Sequence, residues 1–118
     1  MTTAKPVLVE TEAGWLEVVR SFATLHHWRM YHTRNSKGSD AGFPDLVCVR
    51  GPRLVFAELK TEKGRVTREQ TLWLADLAAV GAHVRATLWS PPDDLPAAVI
   101  EVFVWRPSDW AEVQRVLT

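Results

Sequence analysis

Residues 42–61, GFPDLVCVRGPRLVFAELKT, contain the pattern that decides the predicted fold. Two apolar runs, DLVCV and RLVFAELK, flank the short connection RGP, which is typical of a β-hairpin. The second run is apolar on both alternating faces until its end, with Leu54 and Phe56 on one side and Val55 and Ala57 on the other. A strand of this kind is buried on both faces. We therefore predict a sheet that is covered on both sides.

The periodicities around the hairpin predict a mixed α/β fold. An amphipathic helix is predicted with Thr11 as its N-cap, followed by a short strand, WRMYHT. After the hairpin, a helix opens at Thr67 with the Thr-x-x-Gln spacing of a capping box and ends at Gly81. The strands HVRATLW and VIEVFVW follow, and then a last helix with Ser108 as its candidate N-cap. The predicted order is α-β-β-β-α-β-β-α, a mixed sheet flanked by helices on both faces.

The bulk composition limits the classes of protein. A chain of 118 residues fits one domain, 1–118, and no apolar run approaches the roughly 20 residues of a membrane span. The N-terminus lacks the pattern of a secretory signal, and the single Cys48 cannot form an internal disulfide, so we expect a cytoplasmic protein.

The charges are distributed unevenly along the chain. The formal net charge is zero, which argues against a strongly basic nucleic-acid binder. Between Arg20 and Arg68, however, ten Lys and Arg residues stand against four Asp and Glu residues, so this segment carries +6. A charge run is often only a solvated surface, so the asymmetry permits a polyanionic partner without requiring one.

Two carboxylates and an amine are predicted to meet at one end of the hairpin. Side chains alternate across a strand, so Glu58 and Lys60 share a face, and Asp45 can reach them from the neighbouring strand. Nearby carboxylates repel each other unless a cation lies between them, and Mg²⁺ favours one or two carboxylates with water and phosphate oxygens. Lys60 could orient a water molecule and stabilise negative charge on a phosphoryl group. The alternative interpretation is a plain ion pair at a strand end.

The stretches GFPDLV, FAELKTEKGRVTREQTLWL and FVWRPSDW resemble the VRR-NUC branch of the PD-(D/E)XK nuclease superfamily, over roughly residues 11–81 and 102–118. The resemblance implies a restriction-endonuclease-like fold. It also implies catalytic roles for Asp45, Glu58, Lys60 and Gln70. The implied cofactor is Mg²⁺ or Mn²⁺, held by Asp45, Glu58 and the backbone carbonyl of Leu59, with help from Glu12.

The family also places an acidic residue on its first helix, where this sequence offers Glu12 and Glu17. We predict Glu12, because its helical spacing to Trp15, Leu16 and Val19 places it on the apolar stripe that faces the sheet, whereas Glu17 falls on the polar side. An acid at a helix N-terminus is also favoured by the helix dipole alone, so both interpretations of Glu12 stand. For Gln70 the capping-box role is sufficient by itself and does not exclude a role in the site.

Several cationic residues flank the expected site. They suit contacts to a DNA backbone, which position a duplex without reading its sequence; His32 is also interpretable as an ordinary strand-end histidine. These candidates are His32, Arg34, Lys37, Lys63 and Arg65.

The resemblance implies a metal-dependent DNA endonuclease that acts as a homodimer on branched, Holliday-junction-like or nicked DNA. A non-catalytic DNA-binding or assembly subunit, or a nuclease directed at RNA, are the alternatives. The sequence departs from the family by about twenty residues before VWRPSDW, so we predict an atypical insertion around 83–98, either an extra hairpin or a partner-binding loop.

Overall fold

A computed structural model of the protein describes residues 9–33, 40–80 and 98–118. The predicted strand HVRATLW, the helix end at Gly81 and all but the last residue of the predicted insertion lie outside these ranges. None of the helices in the described ranges is long and apolar enough to cross a bilayer. The elements are α1 (Glu12–Leu25), β1 (Arg29–His32), β2 (Leu46–Arg50), β3 (Arg53–Leu59), α2 (Arg68–Val80), β4 (Val99–Trp105), a 3-10 turn (Pro107–Asp109) and α3 (Trp110–Leu117).

The strands form a mixed sheet in the order β1-β2-β3-β4. β2 runs antiparallel to both β1 and β3, and β4 runs parallel to β3. The predicted hairpin is present: Arg50 pairs with Arg53, and the two residues between them include Gly51 at a φ of 57°. Glycine adopts this left-handed conformation without the steric cost that a β-carbon brings. The predicted mixed α/β fold is thus confirmed for the described residues.

Helices cover both faces of the sheet, as the apolar pattern of β3 predicts. Val55 and Ala57 point toward α1 and α3 and are fully buried with Trp15 and Val113. On the opposite face, α2 packs less deeply and has no fully buried residue. Its Trp73 contacts Phe43 edge-on, and Phe43 contacts Phe56 of β3 in the same way.

One backbone carbonyl, that of Trp105 at the end of β4, joins three elements. It accepts a hydrogen bond from the indole Nε1 of Trp15 in α1 at 2.9 Å and another from the backbone N–H of Lys60 at 2.9 Å. A carbonyl oxygen has two lone pairs, and here each of them accepts one of these hydrogen bonds. The start of α1 and the end of β3 are therefore fixed to the same point of the sheet.

Both predicted caps of the longer helices are confirmed. The Thr11 hydroxyl accepts from the backbone N–H of Gly14 at 3.0 Å. At the start of α2, the Gln70 side chain accepts from the Thr67 N–H at 2.8 Å, and the Thr67 hydroxyl accepts from the Gln70 N–H at 3.2 Å. This reciprocal pair is a capping box.

The prediction that Ser108 caps the last helix is wrong. Ser108 lies inside the 3-10 turn, and α3 begins two residues later, at Trp110. The Asp109 carboxylate accepts from the backbone N–H of Arg106 at 2.8 Å and closes the turn, while the Ser108 N–H donates to the side chain of Glu62. The 3-10 turn thus occupies the position at which the serine cap was expected, and the helix begins only after it.

The hydrogen bond from Trp15 predicts a difference between two buried tryptophans. Trp15 and Trp110 are both buried and contact each other edge-on at 5.9 Å between ring centroids, but the Trp110 Nε1 has no hydrogen-bond partner among the described residues. Trp15→Phe should therefore lower the free energy of unfolding by about 1 kcal/mol more than Trp110→Phe, since only the first leaves a buried carbonyl with a lost partner. Urea unfolding monitored by circular dichroism measures both. Equal losses would show that the Trp15 hydrogen bond contributes nothing net.

Candidate active site

Glu58 and Lys60 are buried charged residues at the end of the sheet. Glu58 is 2% exposed and Lys60 is 7% exposed. Asp45 immediately precedes β2, and its Oδ2 accepts a hydrogen bond from the backbone N–H of Leu59 at 2.9 Å. This bond holds the Asp45 carboxylate beside the residue that separates Glu58 from Lys60. The structure thus brings together the three residues that the sequence pattern singles out.

The turn that carries Asp45 is fixed by contacts to the end of β1. The Thr33 backbone N–H donates to the carbonyl of Asp45 at 2.8 Å, and the Thr33 hydroxyl donates to the carbonyl of Pro44 at 2.8 Å. Both bonds restrain the backbone on which the carboxylate depends. Thr33 was not predicted as part of the site, because a lone threonine after a strand carries no recognisable signal.

The same turn packs against the first turn of α2 through Gly42. Gly42 has a φ of 94°, and a β-carbon there would lie 2.6 Å from the backbone carbon of Glu69 and 2.8 Å from the Gln70 nitrogen. Only glycine permits both this conformation and this approach. The Asp45 turn and the start of α2 are consequently held in contact. This glycine was visible in the sequence as part of GFPD, but its contact to α2 was not.

Gln70 combines its capping role with a contact to the site. Its Nε2 donates to Glu58 Oε2 at 3.0 Å, while its Oε1 completes the capping box with Thr67. The amide is thereby oriented with its donor toward the carboxylate. The sequence left both roles open, and the described geometry includes both.

The Glu58 carboxyl lies in an electrostatically unfavourable place. Burial, followed by the neighbouring charge and hydrogen bond of Asp45, raises its pKa from 4.5 to about 8, although the ammonium of Lys60 opposes the shift. Lys60 Nζ is 3.6 Å from Glu58 Oε2. The other oxygen, Oε1, is buried without a hydrogen-bond partner among the described residues. Such a group is stabilised either by a proton or by a cation.

Glu12 reaches the site from the beginning of α1. Its Oε1 is 3.9 Å from Lys60 Nζ, and its side chain is 61% exposed, so it lies at the rim of the site and not in the buried stripe of the helix. Glu17 lines a different surface of α1, with Phe22, Leu25 and Trp110. Of the two predicted acids, Glu12 is therefore the one beside Lys60.

The predicted DNA contacts are distributed around this centre. A cleft of about 270 Å³ lies next to the carboxylates, and His32 lines it together with Glu12, Thr33, Asp45 and Leu59. Lys63 and Arg65 are exposed in the loop that follows Lys60. Arg34 and Lys37 lie outside the described residues.

The donor set fits a small, hard divalent cation. Within residues 9–33, 40–80 and 98–118, no three His, Cys, Asp or Glu side chains converge as a metal cluster. Asp45 and Glu58 nevertheless supply two carboxylates, with the unpartnered Oε1 of Glu58 among their oxygens. Mg²⁺ is commonly bound by one or two carboxylates while waters and substrate phosphates fill its other positions. The residues present therefore match Mg²⁺ or Mn²⁺ better than a closed four-ligand zinc site.

A family model described as the VRR-NUC domain matches residues 8–90. This range covers more than half of the chain and includes Asp45, Glu58, Lys60 and Gln70. The chain therefore belongs to the VRR-NUC family, and membership carries nuclease-type activity and interaction with DNA. The match does not extend to the FVWRPSDW stretch at residues 103–110. No match was found among curated proteins or among solved structures.

Two glycines with positive φ provide a matched test of the contact between the Asp45 turn and α2. Gly51 has a φ of 57° with nothing within 4 Å of a β-carbon, whereas Gly42 would collide with backbone. Gly51→Ala should cost about 1 kcal/mol of stability, the usual strain of a left-handed non-glycine residue, and Gly42→Ala clearly more. Chemical denaturation of both variants checks this. Similar costs would mean that the turn moves freely relative to α2.

The buried carboxyl predicts a pH dependence for the metal-free protein. The pKa of Glu58 is 4.5 when exposed and about 8 in the folded state, so folding retains a proton that the unfolded chain releases between these values. The contribution of Glu58 to the free energy of unfolding has its full value below pH 4.5 and is lost as the pH rises through about 8. Thermal melts in EDTA should thus show a falling melting temperature over this range, and Glu58→Gln should flatten the dependence. A wild-type profile identical to that of Glu58→Gln would refute the assignment.

Proposed function

We propose that this VRR-NUC family member is a divalent-metal-dependent DNA endonuclease, a single domain over residues 1–118 that hydrolyses phosphodiester bonds in the cytoplasm. The observation that carries the proposal is the buried Glu58 and Lys60 with the half-buried Asp45 carboxylate beside them at the same sheet end. A scaffold without turnover gains nothing from such a cluster, because burying carboxylates side by side is costly. A site for a cation and a phosphate explains their presence.

Asp45, Glu58 and the backbone carbonyl of Leu59 would hold Mg²⁺ or Mn²⁺. When bound, the cation would act as a Lewis acid toward a phosphoryl oxygen and lower the pKa of a coordinated water. Gln70 fixes one oxygen of Glu58 through its amide and leaves the second oxygen available. The turn contacts of Thr33 and Gly42 keep Asp45 in place.

Lys60 is the residue that acts on the reacting groups. Its ammonium lies between Glu58 and Glu12, 3.6 Å and 3.9 Å from their oxygens, so its position is restrained from two sides. From there it would orient the attacking water and stabilise the charge that develops on the phosphoryl oxygens. Glu12, at the rim, would take part in the water and metal environment.

The substrate we propose is branched or nicked DNA. His32 lines the cleft beside the carboxylates, Lys63 and Arg65 are exposed in the loop after Lys60, and Arg34 and Lys37 complete the set in the sequence. Cations of this kind bind phosphates and position DNA without reading its bases. The resemblance supports a homodimer acting on structured DNA. Selection by DNA shape is consequently favoured over selection by sequence.

The proposal predicts different effects for two lysines. Lys60→Met keeps most of the buried stem but removes the ammonium, so cleavage should fall by about a hundredfold or more, the effect of losing one transition-state donor. Lys63→Met, on the exposed loop, should change the rate only a few-fold. The assay compares labelled four-way junction, flap, nicked and linear DNA, and a labelled RNA, in Mg²⁺, Mn²⁺ or EDTA.

Four outcomes of this assay are informative. Metal-dependent cleavage lost in Lys60→Met supports the site. Failure of the folded wild type to cut any DNA, with DNA binding retained, would favour the non-catalytic subunit, and cleavage of RNA alone would favour the RNA-directed nuclease. A ranking of linear DNA above branched DNA would overturn the proposed structure selectivity.

A further inference from the structure

The basic loop, defined as residues 61–65, connects β3 to α2 and follows Lys60 directly. Its residues are Thr61, Glu62, Lys63, Gly64 and Arg65. The loop is closed by a bond from the Gly64 N–H to the Thr61 carbonyl at 3.2 Å. Lys63 and Arg65 are exposed, while Thr61 and Gly64 are partly buried. The backbone thus faces the protein, and the two cationic side chains face outward.

Arg106, the residue after β4, binds three carbonyl oxygens of the basic loop. Its Nη1 donates to the carbonyl of Thr61, to that of Glu62 at 3.3 Å and to that of Gly64 at 2.7 Å. Three carbonyl dipoles that converge on one point repel each other unless a cation lies among them. The guanidinium is therefore what allows the loop to keep this conformation.

Further bonds hold Arg106 and the basic loop to the same corner of the fold. The Arg106 backbone N–H donates to the Asp109 carboxylate at 2.8 Å, and the Ser108 N–H donates to the Glu62 carboxylate. No carboxylate pairs with the Arg106 side chain among the described residues, so its charge is directed to the loop carbonyls. Lysine would keep the charge, but its compact ammonium ends a shorter and more flexible stem, so it is a poor substitute for the guanidinium here.

Lys60 does not depend on this arrangement to the same degree. Its backbone is tied to the Trp105 carbonyl at 2.9 Å, and its side chain is restrained by Glu58 and Glu12. Loss of the Arg106 contacts would release the loop while leaving the chemical centre anchored. The two consequences are therefore separable in experiment.

We propose that Arg106 is a positioning residue that holds the basic loop in the conformation in which Lys63 and Arg65 contact the DNA backbone. The identity of the partner as DNA rests on the proposed function, whereas the anchoring of the loop rests on the hydrogen bonds of Arg106. Arg106 lies beyond residues 8–90, the range matched by the family model, so the match assigns it no role. A fixed loop binds phosphate more tightly than a free one, because less conformational entropy is lost on binding.

The first test measures DNA affinity in EDTA against salt concentration for wild type, Arg106→Gln and Arg115→Gln. Arg115 is an exposed arginine of α3 paired with Glu112, so it controls for the lost charge. The DNA association constant K falls as the salt concentration rises, and each lost phosphate contact on duplex DNA reduces the magnitude of the slope of log K against log salt by about 0.9. We expect Arg106→Gln to reduce this magnitude by about 1.8, for two contacts, and Arg115→Gln to leave it unchanged. Equal slopes for all three proteins would overturn the proposal.

A double-mutant cycle tests whether Arg106 acts through the loop. Lys63→Ala with Arg65→Ala should weaken wild-type DNA binding, and the same pair should have little further effect in Arg106→Gln. Full additivity would mean that Arg106 acts by another route. In single-turnover cleavage, Arg106→Gln should need a higher DNA concentration to reach half of its maximal rate. Its rate at saturating DNA should stay within a few-fold of the wild-type rate. A large fall in the saturating rate alone would contradict the separation from Lys60.

Native-state trypsin digestion tests the loop without DNA. Trypsin cuts after Lys63 and Arg65, so we expect faster cleavage at these bonds in Arg106→Gln than in Arg115→Gln, with intermediate cleavage in Arg106→Lys, which keeps the charge but not the planar donor. Unchanged cleavage would overturn the anchoring, whatever the DNA results. If trypsin cleaves the Arg106→Gln loop faster but the wild type has no affinity for DNA, the anchoring of the loop by Arg106 is retained. The proposed function is then rejected, and with it the role of the loop in DNA binding.

Discussion

The carbonyl of Trp105 is the point on which the arrangement of the site depends. It receives the indole N–H of Trp15 and the backbone N–H of Lys60, and the next residue is Arg106, which binds the basic loop. One peptide group at the end of β4 thus sets the positions of α1, of the end of β3 and of the loop that follows. Since α1 begins at Glu12, the same contact also determines where that carboxylate lies relative to Lys60.

A stable core and a strained site are built on opposite sides of a single strand. Val55, Ala57 and Leu59 face α1 and α3 and supply apolar burial, whereas Glu58 is buried with charged neighbours that raise the pKa of its carboxyl. The hydrophobic gain on one face offsets the electrostatic cost on the other. This explains why the site lies at the end of the most buried strand: a weaker element would not hold the carboxylates together.

Much of the site was predictable because alternation along strands and capping chemistry are local rules. Glu58 and Lys60 were placed together by alternation, and Thr67 with Gln70 by the spacing of a capping box. Gly42 and Arg106 were not, because their contacts join residues far apart in the chain, to α2 and to the basic loop. Prediction of the last helix start failed for a related reason.

Ser108 matches the local rule for an N-cap, yet it lies inside a 3-10 turn that the Asp109 carboxylate closes, and its own N–H donates to Glu62 of the basic loop. A capping rule considers only neighbouring residues, so it cannot detect an acceptor 46 residues away in sequence. The turn and the Arg106 contacts lie at the same corner, which uses its hydrogen bonds to hold the loop after Lys60. The helix α3 begins only after this turn, at Trp110. Where a strong local signal fails, the long-range contact that replaced it marks a part of the fold that serves the site.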